Sequence, residues 1–257
     1  MKRLVLLALL NVAVGCKTAP AEPLRVAAAA DLAHAFAELS PAFSAQSSPP
    51  VDLKLTLGST GLLARQLSQG APFDLFLAAN VDYVDRVVKA GACDGGSVAS
   101  YARGRLVIWV KGTDGRELKP SSLADARFKH IAIANPEHAP YGKAARDALT
   151  RAGVWSSVSD RVVYGENVQQ TFELAQSGNA DVAIVGLSLA IATPRGTFAM
   201  VDEALYAPIE QALVICKHGT NATGARRLKA FIEAPAGRAI LRKFGFLMPG
   251  EALAKAP

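Results

Sequence analysis

Cysteine is scarce in this chain: Cys16, Cys93 and Cys216 are the only three in 257 residues. None belongs to a C-x-x-C pair, which excludes a zinc or dithiol redox centre of ordinary spacing. A Gly-x-x-x-x-Gly-Lys loop is absent, so nothing in the sequence argues for a nucleotide phosphate cradle. A G-x-S-x-G elbow is absent too, which counts against a serine hydrolase. The 28 Lys and Arg residues are scattered, with no basic run interleaved with aromatics, so no nucleic-acid surface is indicated. There is no internal repeat, and no transmembrane segment follows the first residues.

What the chain has first is a leader pattern. Met1-Lys2-Arg3 is a short basic segment, Leu4–Leu10 an apolar one, and Ala13-Val14-Gly15 ends it with small residues before Cys16. Its apolar run is too short to span a bilayer. The pattern resembles a bacterial lipoprotein signal: residues 1–15 as signal peptide, Cys16 as the lipidated mature N-terminus, and residues 16–23, rich in Ala and Pro, as a tether. Plain cleavage near Ala19 or Ala21 and a misplaced start codon are the other readings. Removing residues 1–15 takes away Lys2 and Arg3 and no acid, lowering the formal charge of +6 by two. A mildly basic balance helps attract anions. The remaining length suits one large domain or two lobes.

Strands and helices then alternate almost without a break. Leu24–Ala28, Val51–Leu57, Asp74–Ala78, Arg105–Val110, His130–Ala134, Arg161–Tyr164 and Asp181–Val185 read as strands. Leu32, Ala35, Phe36, Leu39 and Phe43 recur at helical spacing, and Leu62–Gln69, Gly142–Ala152, Val168–Ser177, Asn221–Glu233 and Ala236–Phe244 read as further helices. Ala207–Lys217 is long enough to cross between lobes. This order predicts an α/β fold of mainly parallel sheets flanked by helices.

Ligands of such folds sit at the carboxyl ends of strands. Ala29-Ala30-Asp31, Gly58-Ser59-Thr60-Gly61, Pro140-Tyr141-Gly142 and Asn167-Val168 occupy such ends. The loop Ala134–Gly142 follows the apolar run Ile131–Ile133, Gly165–Val168 follows Val162–Val163, and each opens a helical pattern. Strand-to-helix loops point backbone N–H groups outward with the positive end of a helix dipole behind them, a geometry that grips a small anion without Lys or Arg. Hydroxyls of Ser59 or Thr60 can add donors.

In order and spacing, Ala27–Leu32, Gly58–Gly61, Leu63–Leu67, Gly70–Phe76, Ala134–Gly142 and Gly165–Val168 resemble the periplasmic molybdate-binding proteins of ABC transporters, over nearly the whole mature chain. The resemblance implies a two-lobed type II periplasmic-binding-protein fold; with Arg105–Val110 and Ala207–Lys217 read as the two crossing segments, residues 24–103 and 214–257 form lobe 1 and residues 104–213 lobe 2. It implies a monomeric, extracytoplasmic, lipid-anchored subunit that holds molybdate or tungstate in the interlobe cleft and delivers it to an inner-membrane permease. Neither a cofactor nor a metal beyond the oxyanion is implied. Carried over by position, the ligand contacts are Asp31, Thr60 with neighbouring Ser59, and the backbone N–H groups of Tyr141 and Val168.

Two positions depart from that family's pattern. Asp31 stands where many members have serine, and an ionised carboxylate would repel a dianion. Either Asp31 caps the helix beginning at Leu32 while its main-chain N–H serves the ligand, or it is protonated, or the ligand is a different anion. Gly186 stands where some relatives place a tyrosine on the anion, a loss Tyr141 can offset. The competing enzyme class is a hydrolase using Ser59 or Ser188 with His138. A metal at Glu137 and His138 lacks further ligands. Cys93 and Cys216 are read as separate buried apolar residues, with a disulfide open if the fold brings them together.

Overall fold

The computed structural model describes residues 22–112 and 115–251; the leader, Cys16 and most of the tether lie outside the described residues. Ten strands are described: β1 (Leu24–Ala29), β2 (Leu53–Gly58), β3 (Leu75–Ala78), β4 (Ala99–Gly104), β5 (Leu106–Val110), β6 (Ile131–Ala134), β7 (Val162–Gly165), β8 (Val182–Gly186), β9 (Thr197–Met200) and β10 (Ile209–Ile215). The helices are α1 (Ala33–Ala45), α2 (Thr60–Ser68), α3 (Val81–Lys89), α4 (Pro140–Arg151), α5 (Trp155–Val158), α6 (Val168–Ser177), α7 (Leu187–Ile191), α8 (Ala222–Glu233) and α9 (Pro235–Lys243).

Continuous apolar runs become central strands because helices cover both faces of each sheet. All residues of β3, β5, β6 and β8 are buried, whereas the edge strand β2 alternates half-buried and exposed positions along most of its length. Asparagine side chains at 80, 167 and 221 accept backbone N–H groups from the first turns of α3, α6 and α8 and so set where those helices begin.

The strands form two five-stranded sheets, ordered β2-β1-β3-β10-β4 and β7-β6-β8-β5-β9. Pairing is parallel around β1 and around β6, as the βαβ order predicts. The strands β10 and β5 run antiparallel to both neighbours, so each sheet is mixed rather than mainly parallel. The cause is the connection. Only Arg105 separates β4 in the first sheet from β5 in the second, and a strand that enters without a helical crossover is free of the parallel constraint. The return runs between β9 and β10, so it is complete before Ile209 and ahead of the boundary at residue 213 expected from sequence. No helix of the described residues is long and apolar enough to cross a membrane.

Cys93 and Cys216 are both buried, but as a disulfide and not as separate residues. Antiparallel pairing continues past the end of β10. The Asp94 N–H donates to the Ile215 carbonyl and the Lys217 N–H to that of Ala92, each at 2.9 Å, which sets the two cysteines opposite each other.

Candidate functional site

Four strand ends, two from each sheet, meet at one small cavity. Asp31 follows β1, Ser59 and Thr60 begin α2 after β2, Tyr141 lies in the first turn of α4, and Val168 opens α6 after β7; all five line this cavity. The first N–H groups of α2, α4 and α6 have no acceptor within their own helices. Pro140 at the start of α4 has no N–H of its own, and the Asn167 side chain takes the N–H groups of Gln169 and Gln170, which leaves those of Tyr141 and Val168 free of local partners. No Lys or Arg lines the cavity. The helix N-termini that face it supply positive potential.

Asp31 is fully buried and caps nothing: its side chain makes no bond to the helix that follows. Asp31 sits inside the turn Ala30–Leu32, which begins after Ala29, and the residue that precedes α1 is Leu32, so its carboxylate holds no cap position and instead takes donors across the cleft. Its Oδ2 accepts from the Tyr141 hydroxyl at 2.9 Å and from Gln211 Nε2 at 2.5 Å. Tyr101 Oη donates to Gln211 Oε1 at 2.6 Å, which aims the amide nitrogen at Asp31. Oδ1 has no partner among the described residues. Burial pushes the Asp31 carboxyl up to about 6, against the lowering effect of the bonds from Gln211 and Tyr141. Burial first, and then the neighbouring Asp31 charge, holds the Tyr101 and Tyr141 hydroxyls well above the usual tyrosine range.

The Tyr141 ring fits because two glycines flank it. A Cβ at Gly104 would overlap the Tyr141 hydroxyl, and one at Gly186 would lie 3.1 Å from the ring. Tyr141 thus occupies space beside Gly186, but its hydroxyl is engaged by Asp31.

Ser59 bridges the halves as well. Its Oγ donates to the His138 carbonyl and contacts His138 Nδ1, both at 2.8 Å; with the hydroxyl proton on the carbonyl, Nδ1–H is the donor in the second contact. The structure therefore joins the Ser59 and His138 of the hydrolase reading, with the Ser59 hydroxyl also bonded to the His138 carbonyl. Ser188 is committed elsewhere, donating to the Asp31 carbonyl at 2.8 Å. Thr60 Oγ1 accepts from the Ala79 N–H at 3.1 Å, and its own proton has no acceptor among the described residues. Glu137 pairs with Arg146 at 3.5 Å, and the described residues hold no cluster of three or more metal-ligating side chains.

A wider cleft of about 200 Å³ adjoins the cavity, sharing Ala139 and Pro140 with it, and carries Arg86 and Lys143 beside Asp82, Glu137 and Asp147. Sequence reasoning missed Gln211, Tyr101 and Ser188 as partners of Asp31. The available signal was an uncharged polar residue inside the apolar run Ile209–Ile215.

The model of one protein family, described as bacterial extracellular solute-binding protein, matches residues 24–247. The chain is 34% identical to the molybdate-binding protein ModA of Rhodobacter capsulatus over 74% of its own length and 75% of that protein's. It is 30% identical to the molybdate-binding protein ModA of Azotobacter vinelandii, covering 89% and 91%. The solved Azotobacter vinelandii periplasmic molybdate-binding protein superposes with a TM-score of 0.82 at 29% identity, over 88% of this chain and 99% of that one.

Proposed function

The chain belongs to the bacterial extracellular solute-binding proteins, and from that premise we propose that it captures a tetrahedral oxyanion, molybdate or tungstate, and delivers it to the permease of an ABC importer. The observation that carries this reading is the meeting of helix N-termini from both sheets at one cavity without a fixed cation. Backbone N–H groups and the Thr60 hydroxyl suit an acceptor-only ligand. The names of the relatives supply the choice of metal.

In this proposal the ligand is held by the N–H groups of Asp31, Thr60, Tyr141 and Val168, the Thr60 hydroxyl, and the Asp31 carboxyl. Ser59, whose hydroxyl is engaged by His138, closes the halves more than it touches the anion. The lobes are residues 22–104 with 209–251, and 106–200. The protein acts as a monomer without cofactor or catalysis, lipidated at Cys16 and tethered outside the inner membrane. Neutral donors recognise any tetrahedral dianion, so selection against sulfate rests on cavity size and the longer metal–oxygen bond.

Calorimetric titration with molybdate, tungstate, sulfate and phosphate tests this. Molybdate and tungstate are expected to bind, with sulfate and phosphate weaker by at least a hundredfold. A hundred- to thousandfold excess of molybdate over its dissociation constant should stabilise the fold by roughly 3 to 4 kcal/mol. Sulfate binding as tightly as molybdate refutes size selection, and the absence of binding by all four anions overturns the reading.

A further inference from the structure

A tetrahedral dianion presents acceptors only, yet the cavity that would hold it contains a carboxylate. Asp31 lines the cavity, is fully buried, and keeps one oxygen without a partner. Its other oxygen takes two donors, the Tyr141 hydroxyl and the Gln211 amide. This asymmetry decides where a proton sits. Oδ2, already an acceptor twice over, serves as the carbonyl-like oxygen, and Oδ1 is the atom left to carry hydrogen.

Resting on the oxyanion reading above, we infer that Asp31 enters the ligand complex as the neutral acid, its Oδ1–H donating to one ligand oxygen, so that capture of each anion takes up one proton from solvent. The balance is simple: the free carboxylate gains H⁺, no other bond forms or breaks, and the closed cleft holds two negative charges in place of three. No Lys or Arg lines the cavity, and the helix N-termini that face it carry only partial charges, so a third full negative charge has no matching cation there. The Asp31 carboxyl stands at about 6 before any ligand adds its field. A dianion within contact distance moves it further up, across neutral pH.

The groups around Asp31 leave it as the titrating partner. Tyr141 on α4 and Tyr101 on β4 keep their protons well beyond neutral pH. Gln211 on β10, Ser188 on α7, Ser59 and Thr60 on α2, and Asn167 with Val168 at the start of α6 carry no charge, while the N-termini of α2, α4 and α6 contribute fixed positive potential. His138 reaches the site through Ser59.

The test titrates the full chain with dilute molybdate, which is a dianion between pH 7 and 9, in buffers of different ionisation enthalpy. The expected result is uptake of about one proton per molybdate and an affinity that falls by up to about tenfold per pH unit. Asparagine mimics the neutral acid, with its carbonyl placed to accept from Gln211 and Tyr141 and its amide to donate to the ligand. Asp31→Asn should therefore abolish the uptake, flatten the pH profile and bind more tightly than wild type at pH 9. Proton uptake by the wild type needs no variant, so misfolding of Asp31→Asn does not spare the inference. Molybdate binding without proton uptake overturns it while leaving the functional reading intact, and a slope that survives in Asp31→Asn places the proton on another group and overturns it equally. No molybdate binding by either protein overturns the functional reading instead.

Discussion

The Tyr141 hydroxyl donates to Asp31 Oδ2 at 2.9 Å, tying α4 of the second half to the turn after β1 of the first. Tyr141→Phe keeps the ring and the backbone N–H but removes this bond. With Asp31 neutral in the ligand complex, such a bond contributes about 0.5 to 1.5 kcal/mol, and that loss falls on closure of the cleft. Molybdate affinity is expected to drop about two- to tenfold in calorimetry. The Asp31 carboxyl should titrate still higher, because one of the bonds lowering it is gone. Unchanged affinity would show that the bond plays no part in the liganded state.

Gly104 ends β4, and a methyl there would overlap the Tyr141 hydroxyl reaching across from α4. Gly104→Ala should therefore obstruct closure more than folding. Molybdate affinity is expected to fall more than tenfold, with little change in the urea midpoint of the ligand-free protein. Small-angle scattering provides the direct check: the compaction that ligand produces in the wild type should be lost.

The Cys93–Cys216 disulfide closes a loop with a sequence separation of 123. Losing a native bridge over a loop of this size costs about 2 to 5 kcal/mol. Replacing both cysteines by alanine should lower the unfolding free energy by that amount while leaving molybdate affinity within a fewfold. A larger effect on affinity than on stability would place the bridge in the binding mechanism.

Much of this fold is legible because its central strands are buried on both faces, so apolar runs such as Leu106–Val110 and Val182–Gly186 stand out from their surroundings. The strands β4 and β9, Ala-Ser-Tyr-Ala-Arg-Gly and Thr-Phe-Ala-Met, lie at sheet edges, and their mixed composition reads as loop. The cavity residues were legible for a local reason: each follows a strand and opens a helix. The partners of Asp31 were not, since Gln211 lies 180 residues from Asp31 along the chain and Tyr101 lies 110 from Gln211, and only tertiary packing joins them. The cap expected of Asp31 failed on the same ground. Local propensity favoured the helix terminus, and the long-range donors won.

Thr60 carries two duties. Its Oγ1 accepts from the Ala79 N–H, so Thr60→Val removes a ligand donor and also leaves a buried N–H unpaired. The ligand-free protein is expected to lose about 1 to 3 kcal/mol of stability, and molybdate affinity to fall by a comparable amount. Thr60→Ser retains both functions and should rescue both. Loss of stability without loss of affinity would remove the hydroxyl from the ligand site and leave only its bond to Ala79.

Asp31 also predicts how stability without ligand depends on pH. Its carboxyl stands at about 6 in the folded protein against 3.8 for a freely exposed aspartate, a raised value caused first by burial. Below the unfolded value both states are protonated and the group costs nothing. As pH rises toward 6 the unfolded chain ionises freely while the folded one resists, so stability falls through this window and stays lower above it. The shift corresponds to a ceiling of about 3 kcal/mol, which opening of the cleft reduces by rehydrating the carboxylate. Asp31→Asn never ionises and escapes the loss. In urea unfolding the variant should match wild type near pH 4 and exceed it by about 1 to 3 kcal/mol at pH 8. A constant difference across that range would mean that Asp31 is ionised without penalty in the folded protein, and that the donors from Tyr141 and Gln211 fully offset its burial.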